Sequence, residues 1–267
     1  QLVFGVQKIV NLACGSFYAL GAYFGITFIA LANSYGLPSW MLLPGLIAAG
    51  VLMSAIGPPI ERLLRLTYSR DESLQLLLTF AFVLMFQDVI RFIWGSNPKS
   101  LDSTYLIYGK IVSGDFAVPV YNVLVIAAAI AAAAGLGFFL RGTNYGRLLR
   151  ATAENRDMAE ALGVDVRKIY VMVFTIGTAL GTVAGALVVP TAAASLDMAI
   201  ELIVEAFAVV VIGGLGSMAG AFAGALIVGL IHALSILYYP EFEILATYTI
   251  VIGVLLLRPS GLFGKPA

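Results

Sequence analysis

The sequence predicts an all-α, polytopic membrane protein, and three observations carry that prediction. The 267 residues are 61% hydrophobic and only 11% charged, with a mean hydropathy of +0.99, whereas a soluble domain carries about 25% charged residues. Apolar runs of roughly 20 residues recur along the chain, the length a helix needs to cross about 30 Å of hydrocarbon. The alternating segments of about ten residues that build a membrane β-barrel do not occur. About seven or eight membrane-crossing segments are expected, with a discontinuous or re-entrant element near 203–217. All belong to a single transmembrane domain over 1–267. The sequence opens at Gln1 inside an apolar run, without Met or a basic leading region, so a first helix is expected to be missing upstream.

Leu2 to Val10 is an apolar fragment carrying only Lys8, and Asn11-Leu12-Ala13-Cys14-Gly15 breaks it. Phe17 to Leu31 is the next apolar run, closed by the turn-rich Asn33–Pro38, with Trp40 where an interfacial aromatic belongs. Met41 to Ile60 follows, interrupted by Pro44 and Pro58-Pro59, then a charged loop from Glu61 to Glu72. Leu74 to Trp94 is apolar except for Asp88 and Arg91, spaced i, i+3 as a local ion pair. A polar connection over 95–119 leads to the Ala-rich run Val120–Leu140 and the long polar segment 141–168. Ile169 to Val189 spans again, and 190–200 is a small-residue loop. Ile203 to Ile212 is too short to cross alone. Gly213-Gly214-Leu215-Gly216-Ser217 breaks it before Met218–Leu237, the short acidic turn Tyr238–Glu243 and a last run, Ile244–Leu257.

Lys and Arg are distributed unevenly among the connections. Those at 61–72, 141–168 and 258–267 carry 3, 6 and 2, whereas 33–39, 95–119, 190–202 and 238–243 carry 0, 2, 0 and 0. By the positive-inside rule the first set is cytoplasmic, with the C-terminus inside. The segment 203–237 must then start and finish outside, descending, turning at the glycines and climbing again.

The segment 141–168 holds six of the fifteen Lys and Arg residues and four acids around a helical core bounded by Gly146 and Gly163. Ala151, Asn155, Met158, Ala159 and Leu162 fall on one weakly apolar face of a helix, with Glu154, Arg156, Asp157 and Glu160 on the other. Gly163 can supply a left-handed C-cap. On physical grounds this is either a solvated loop with a helical turn or an element that inserts into a groove on a partner, where Met adapts to an irregular surface.

Gly146-Arg147-Leu148-Leu149-Arg150-Ala151, then Glu154-Asn155 and Ala159-x-x-x-Gly163, resembles the cytoplasmic loop of ABC-importer permeases. More narrowly it resembles the branched-chain amino acid permease family, with its LivH-type and LivM-type subunits. The run Ala206–Ile212 with Gly213–Ser217 and Gly220-Ala221-x-x-Gly224 is similar to that family's membrane motif. Arg258-Pro259-Ser260-Gly261-Leu262-Phe263-Gly264 resembles its C-terminal signature, and Asn11-Leu12-Ala13-x-Gly15 an N-terminal motif, although Cys14 stands where the family usually has His or Gln. Glu205 is more LivM-like and the Gly220–Gly224 stretch more LivH-like.

The resemblance implies that 141–168 is a coupling segment seated in a cytoplasmic ATPase, with Glu154, Asn155, Met158, Ala159, Ala161, Leu162 and Gly163 at the contact. It implies a permease subunit forming the pathway for branched-chain or related amino acids in a bacterial or archaeal cytoplasmic membrane. Its partners would be a paralogous or identical permease subunit, two cytoplasmic ATPase subunits, an extracytoplasmic substrate-binding protein and the lipid bilayer. No cofactor is expected on this chain, ATP and Mg being held by the ATPase subunits. Permeases for urea, amides, sugars or nucleosides, and a secondary transporter working without an ATPase, are the alternatives.

Candidates for the pathway are Asn11 and Gly15 from the first motif and Gly213, Gly214, Gly216 and Ser217 at the break. Irregular backbone at membrane depth must be buried in protein or line a wet cavity. Gly216, Gly220 and Gly224 form a small-residue seam, as do Gly177, Gly181 and Gly185, and helix packing is the simpler use of both. Asp197, Glu201 and Glu205 mark an acidic outer rim, either an entry vestibule or a seat for a docked protein. Zero net charge gives no field for nucleic acid. No Walker A sequence, metal-spaced ligands or nucleophile constellation occurs, so an enzymatic role is not expected.

Overall fold

The computed structural model describes residues 2–9, 11–68, 70–101, 105–113, 116–214, 216–238, 243–258 and 261–263. Leu215, the 239–242 part of the acidic turn, and Pro259, Ser260 and Gly264 of the C-terminal motif lie outside the described residues. The helices in chain order begin with α1 (Leu2–Gln7), α2 (Cys14–Ser34), α3 (Leu42–Met53), α4 (Gly57–Leu64) and α5 (Glu72–Trp94). Next come α6 (Val120–Gly142), α7 (Asn144–Glu154), α8 (Arg156–Ala161) and α9 (Val166–Val188). The chain closes with α10 (Met198–Gly213), α11 (Met218–Tyr238) and α12 (Glu243–Leu257).

The protein is an all-α polytopic membrane protein. Among the described residues six stretches are long and apolar enough to cross a membrane: Cys14–Ser34, Ser39–Thr67, Ser73–Trp94, Val120–Gly142, Val166–Val188 and Met218–Tyr238. The helices α10 and α12, at 16 and 15 residues, are about 24 and 22 Å long at 1.5 Å per residue, short of a full crossing. The 95–119 connection holds a small antiparallel hairpin, β1 (Lys110–Ser113) against β2 (Phe116–Pro119). The bridge between Lys99 and Ala194, with N–H···O distances of 2.9 and 2.8 Å, ties this connection to the 190–197 loop.

The second span is longer than its prolines suggest. Pro44 lies in the first turn of α3 and Pro58 and Pro59 in the first turn of α4, where a missing N–H removes no helical bond. The expected charged loop from Glu61 therefore begins as helix and runs on through a 3-10 turn at Arg65–Thr67. Glu61 is wholly buried and accepts a 3.1 Å hydrogen bond from Arg65 Nε one turn later, so the pair enters the helix end with its charge neutralised.

Packing centres on α9, which lies against α2 and α3. A Cβ at Gly185 would fall 1.9 Å from the Tyr18 carbonyl oxygen, one at Gly21 2.0 Å from that of Thr182, and one at Gly50 2.6 Å from Val183 Cα. Only glycine lets these backbones meet, which is how membrane helices gain contact without a hydrophobic driving force. Thr182 Oγ1 adds a 2.7 Å hydrogen bond to the Gly50 carbonyl. Phe17 fills the remaining space edge-on to Phe86 and Phe174, with centroids 6.0 and 5.8 Å apart.

Candidate functional site

The 141–168 segment folds as two helices rather than the single one its apolar periodicity suggests. Asn155 breaks it: its backbone is extended (φ −150°, ψ 103°) and its Oδ1 accepts from the Met158 N–H at 2.9 Å, capping α8. Thr143 caps α7 in the same way by accepting from Gly146 N–H at 3.0 Å, and Asp165 caps α9 by accepting from Lys168 N–H at 3.1 Å. The Lys168 backbone N–H of the α9 cap, and after it the Lys168 ammonium, hold the Asp165 carboxyl below its ordinary value. Gly163 takes φ +85° as expected, letting the Val164 N–H close back on the Ala159 carbonyl at 3.0 Å.

The break divides the expected docking face. Met158 and Leu162 are 58% and 77% exposed, an apolar pair at the tip of the segment. Glu154, Asn155, Ala161 and Gly163 are exposed beside them. Ala159 is only 3% exposed and turns inward.

Behind this tip, Leu149 of α7 packs in one cluster with Val6 of α1 and with Val166, Ile169, Tyr170 and Val173 of α9. The guanidinium of Arg156 lies 5.6 Å from the centre of the Tyr170 ring, and Gln7 Nε2 donates to the Tyr170 carbonyl at 3.0 Å. Tyr68 OH reaches both Gln7 Oε1 (3.4 Å) and Glu61 Oε1 (3.5 Å). Burial, with the Glu61 carboxylate close by, pushes the Tyr68 phenol well above its ordinary range. The sequence reading missed this network, although Glu61 and Arg65 stand at the i, i+4 spacing that signals a helical pair.

The side of α1 away from Tyr170 borders a cavity of about 340 Å³. Leu2, Val3 and Phe4 of α1, Asn11, Leu12 and Cys14 of the first motif, and Ile203, Ala206, Phe207 and Val210 of α10 all contribute to its wall. Between α1 and α2 the chain turns at Lys8, and Ile9 and residues 11–13 are non-helical backbone beside the cavity, the use such backbone has within a membrane. Asn11 Oδ1 accepts from the Ala13 N–H at 3.0 Å and shapes that return. A Cβ at Gly15 would lie 2.1 Å from the Ala199 carbonyl oxygen, so glycine there admits the start of α10.

The glycine break turns α10 into α11. Gly214 sits at φ +95° and Gly216 at φ +80°, conformations that favour glycine. Ser217 Oγ accepts from the Gly220 N–H at 3.0 Å and caps α11. A Cβ at Gly220 would lie 2.0 Å from the Gly213 carbonyl oxygen, and one at Gly224 2.6 Å from that of Val209. Gly220 and Gly224 therefore form the seam with α10, while Gly216 belongs to the turn. The C-terminal motif folds onto the same turn: Leu262 and Phe263 N–H donate to the Ile212 and Gly213 carbonyls at 2.9 and 3.1 Å. Those are orphan acceptors at the end of α10. Gly5 of α1 approaches Gly216 at 3.9 Å, measured from a built Cβ. The turn thus meets the C-terminal motif on one side and α1 at Gly216 on the other, while Gly15, Gly213, Gly214, Gly216 and Ser217 are not among the residues that line the cavity.

Of the rim residues, Asp197 precedes α10 and Glu201 and Glu205 follow at one-turn spacing, all three exposed. They lie on a different side of α10 from Ile203, Ala206 and Phe207, and they do not line the cavity. Asp88 and Arg91 form the expected local pair at 3.4 Å on an exposed surface.

Comparison with known proteins identifies the family. The family described as "Branched-chain amino acid transport system / permease component" matches residues 1–258. The chain is 29% identical to the high-affinity branched-chain amino acid transport system permease protein LivH of Salmonella typhimurium, over 99% of this chain and 89% of that protein. LivH of Escherichia coli K12 gives the same figures. The permease protein BraD of Pseudomonas aeruginosa is 26% identical over 99% of this chain and 89% of its own length. No solved structure matches the chain significantly. With that family match over nearly the whole chain, the chain belongs to the branched-chain amino acid transport system permease family.

Proposed function

We propose that this chain forms part of the translocation pathway of an ABC importer for branched-chain amino acids and is driven through its 141–168 segment by cytoplasmic ATPase subunits. The observation that carries the reading is the family match over residues 1–258, with relatives named as branched-chain amino acid permeases. The LivH name of those relatives favours the LivH-type subunit. The Lys and Arg counts favour a cytoplasmic position for 141–168 and the C-terminus. A second permease subunit, identical or paralogous, encloses the pathway, and an external binding protein docks on the face poor in Lys and Arg. ATP and Mg belong to the ATPase subunits, and this chain contributes no catalytic group.

The mechanism follows from the layers. Met158 and Leu162 offer the ATPase an exposed apolar anchor on a short, doubly capped helix. Displacement of that anchor passes through Leu149 to Val6, because packed side chains move together rather than deform. The opposite side of α1 then shifts against the cavity, and its contact with Gly216 reaches the turn where α10 meets the C-terminal segment. A mostly aliphatic wall suits an apolar side chain.

The test is uptake of labelled leucine, isoleucine and valine into proteoliposomes holding the chain with its co-purifying permease, ATPase and binding-protein partners. Uptake that requires ATP and the ATPase subunits supports the reading. Uptake driven by an ion gradient without them would establish a secondary transporter instead.

A further inference from the structure

A second cavity, of about 260 Å³, lies at the C-terminal end of α1, near the ends of the spans. Three exposed cations, Lys8, Arg70 and Arg156, line it and, among the described residues, no acidic side chain does. Glu61, Asp88 and Asp165 form ion pairs with Arg65, Arg91 and Lys168. None of these pairs involves the three cations. The cavity is built rather than incidental. Gln7 and Gln75 are both buried; Gln7 anchors to the Tyr170 carbonyl at 3.0 Å, and Gln75 Nε2 donates to the Thr67 and Arg70 carbonyls at 3.2 Å each, fixing the backbone that carries Arg70. Lys8 follows α1 at φ +58°, where glycine is the usual occupant, so a long basic side chain is kept at a position that costs backbone strain.

Three cations lining one hollow give it a local positive potential that suits an anion. Arg70 precedes the Ser73–Trp94 span by three residues, and Tyr170 lies in the first turns of the Val166–Val188 span. That depth is where basic pockets between membrane helices receive lipid head groups.

We infer that the cavity formed by Lys8, Arg70 and Arg156 is an anion site for a phosphate group, carried by an anionic phospholipid head group or by a free phosphate. The inference does not depend on what the protein transports. Because Arg156 also leads α8, an anion held there ties the coupling segment to α1.

The experiment uses the purified permease complex. In nanodiscs mixing phosphatidylglycerol and phosphatidylcholine, native mass spectrometry reads retained phosphatidylglycerol; in phosphatidylcholine alone, a thermal melt reads the effect of inorganic phosphate. The variants are Lys8→Gln/Arg70→Gln/Arg156→Gln, the milder Arg70→Gln, and a control, Arg141→Gln/Arg147→Gln/Arg150→Gln, which removes three exposed cations from the same connection. Each cation facing an anionic surface contributes roughly fivefold, so the triple variant is expected to lose about 100-fold in affinity and Arg70→Gln about fivefold, with the control unchanged. Selective loss of phosphatidylglycerol identifies the lipid as source, and selective loss of the phosphate-dependent shift identifies the free anion. The inference is overturned if triple variant and control behave alike in both measurements. It is equally overturned if the triple variant loses only its ATPase partner, which would make the hollow a seat for a protein carboxylate.

Discussion

Gly220 and Gly229 lie on the same helix, α11, yet the structure predicts opposite responses to alanine. A Cβ at Gly220 would sit 2.0 Å from the Gly213 oxygen and 2.7 Å from its carbonyl carbon. Ordinary contact begins near 3.4 Å, so the shortfall is about 1.4 Å. Both atoms are backbone, so no rotamer change can relieve them and α10 must part from α11. Overpacking of this kind costs ~1–3 kcal/mol, and for a chain of this size each kcal/mol lowers the melting temperature by roughly 2–4 °C. Gly220→Ala is therefore expected to melt about 2–12 °C below the wild type. At Gly229 nothing lies within 4 Å of the built Cβ, and alanine removes a glycine cost of about 0.5–1 kcal/mol from the helix interior. Gly229→Ala should melt at or slightly above the wild type. Thermal unfolding of the purified complex in one detergent reads both. Equal losses for the two variants, or none for Gly220→Ala, would refute the assigned packing of α10 on α11.

Three further outcomes follow from the same contacts. Gly214→Val places a β-branched residue at φ +95° against Gly261, a strain of about 1–3 kcal/mol; uptake should be lost while assembly is retained, and normal uptake in vesicles would contradict a role for the turn. Glu61→Ala leaves Arg65 without its buried partner; because Arg65 is partly exposed, the cost in a denaturant titration should be about 1–3 kcal/mol rather than the full penalty of a buried orphan, with Glu61→Gln milder. The Asp165 carboxyl is depressed in the folded protein, so its contribution is complete above the ordinary value of 3.8 and is lost as pH falls through the lower folded value. Asp165→Asn keeps a capping oxygen without the charge, and its melting temperature should depend less on pH across that acidic window.

The spans and the three motifs were legible because membrane length, charge asymmetry and glycine spacing are local properties of the sequence. What joins them was not. The Leu262 and Phe263 bonds to the end of α10 and the approach of Gly5 to Gly216 depend on chain folding between positions about fifty and two hundred residues apart. The 151–162 periodicity was read as one helix because an apolar count ignores capping; Asn155 three residues before Met158 is an N-cap signal that competes with it, and here it won. Ala159, expected on the docking face, is therefore buried, leaving Met158 and Leu162 as the exposed apolar pair. Glu61 was assigned to a loop because a charge pair normally ends a span, whereas the i, i+4 bond to Arg65 lets the helix continue.

The coupling role of the Met158–Leu162 tip is tested most directly by Met158→Asp. Met158 is exposed in this chain, so the substitution leaves the folded subunit intact, but it places a carboxylate where a partner groove would have to desolvate it. Loss of a buried anchor at an interface costs about 2 kcal/mol or more, a factor of roughly 30 in the docked population. The measurement is substrate-stimulated ATP hydrolysis by the reconstituted complex. The account predicts stimulation reduced to near the unstimulated rate with the melting temperature of the permease unchanged. Full stimulation in Met158→Asp would contradict it.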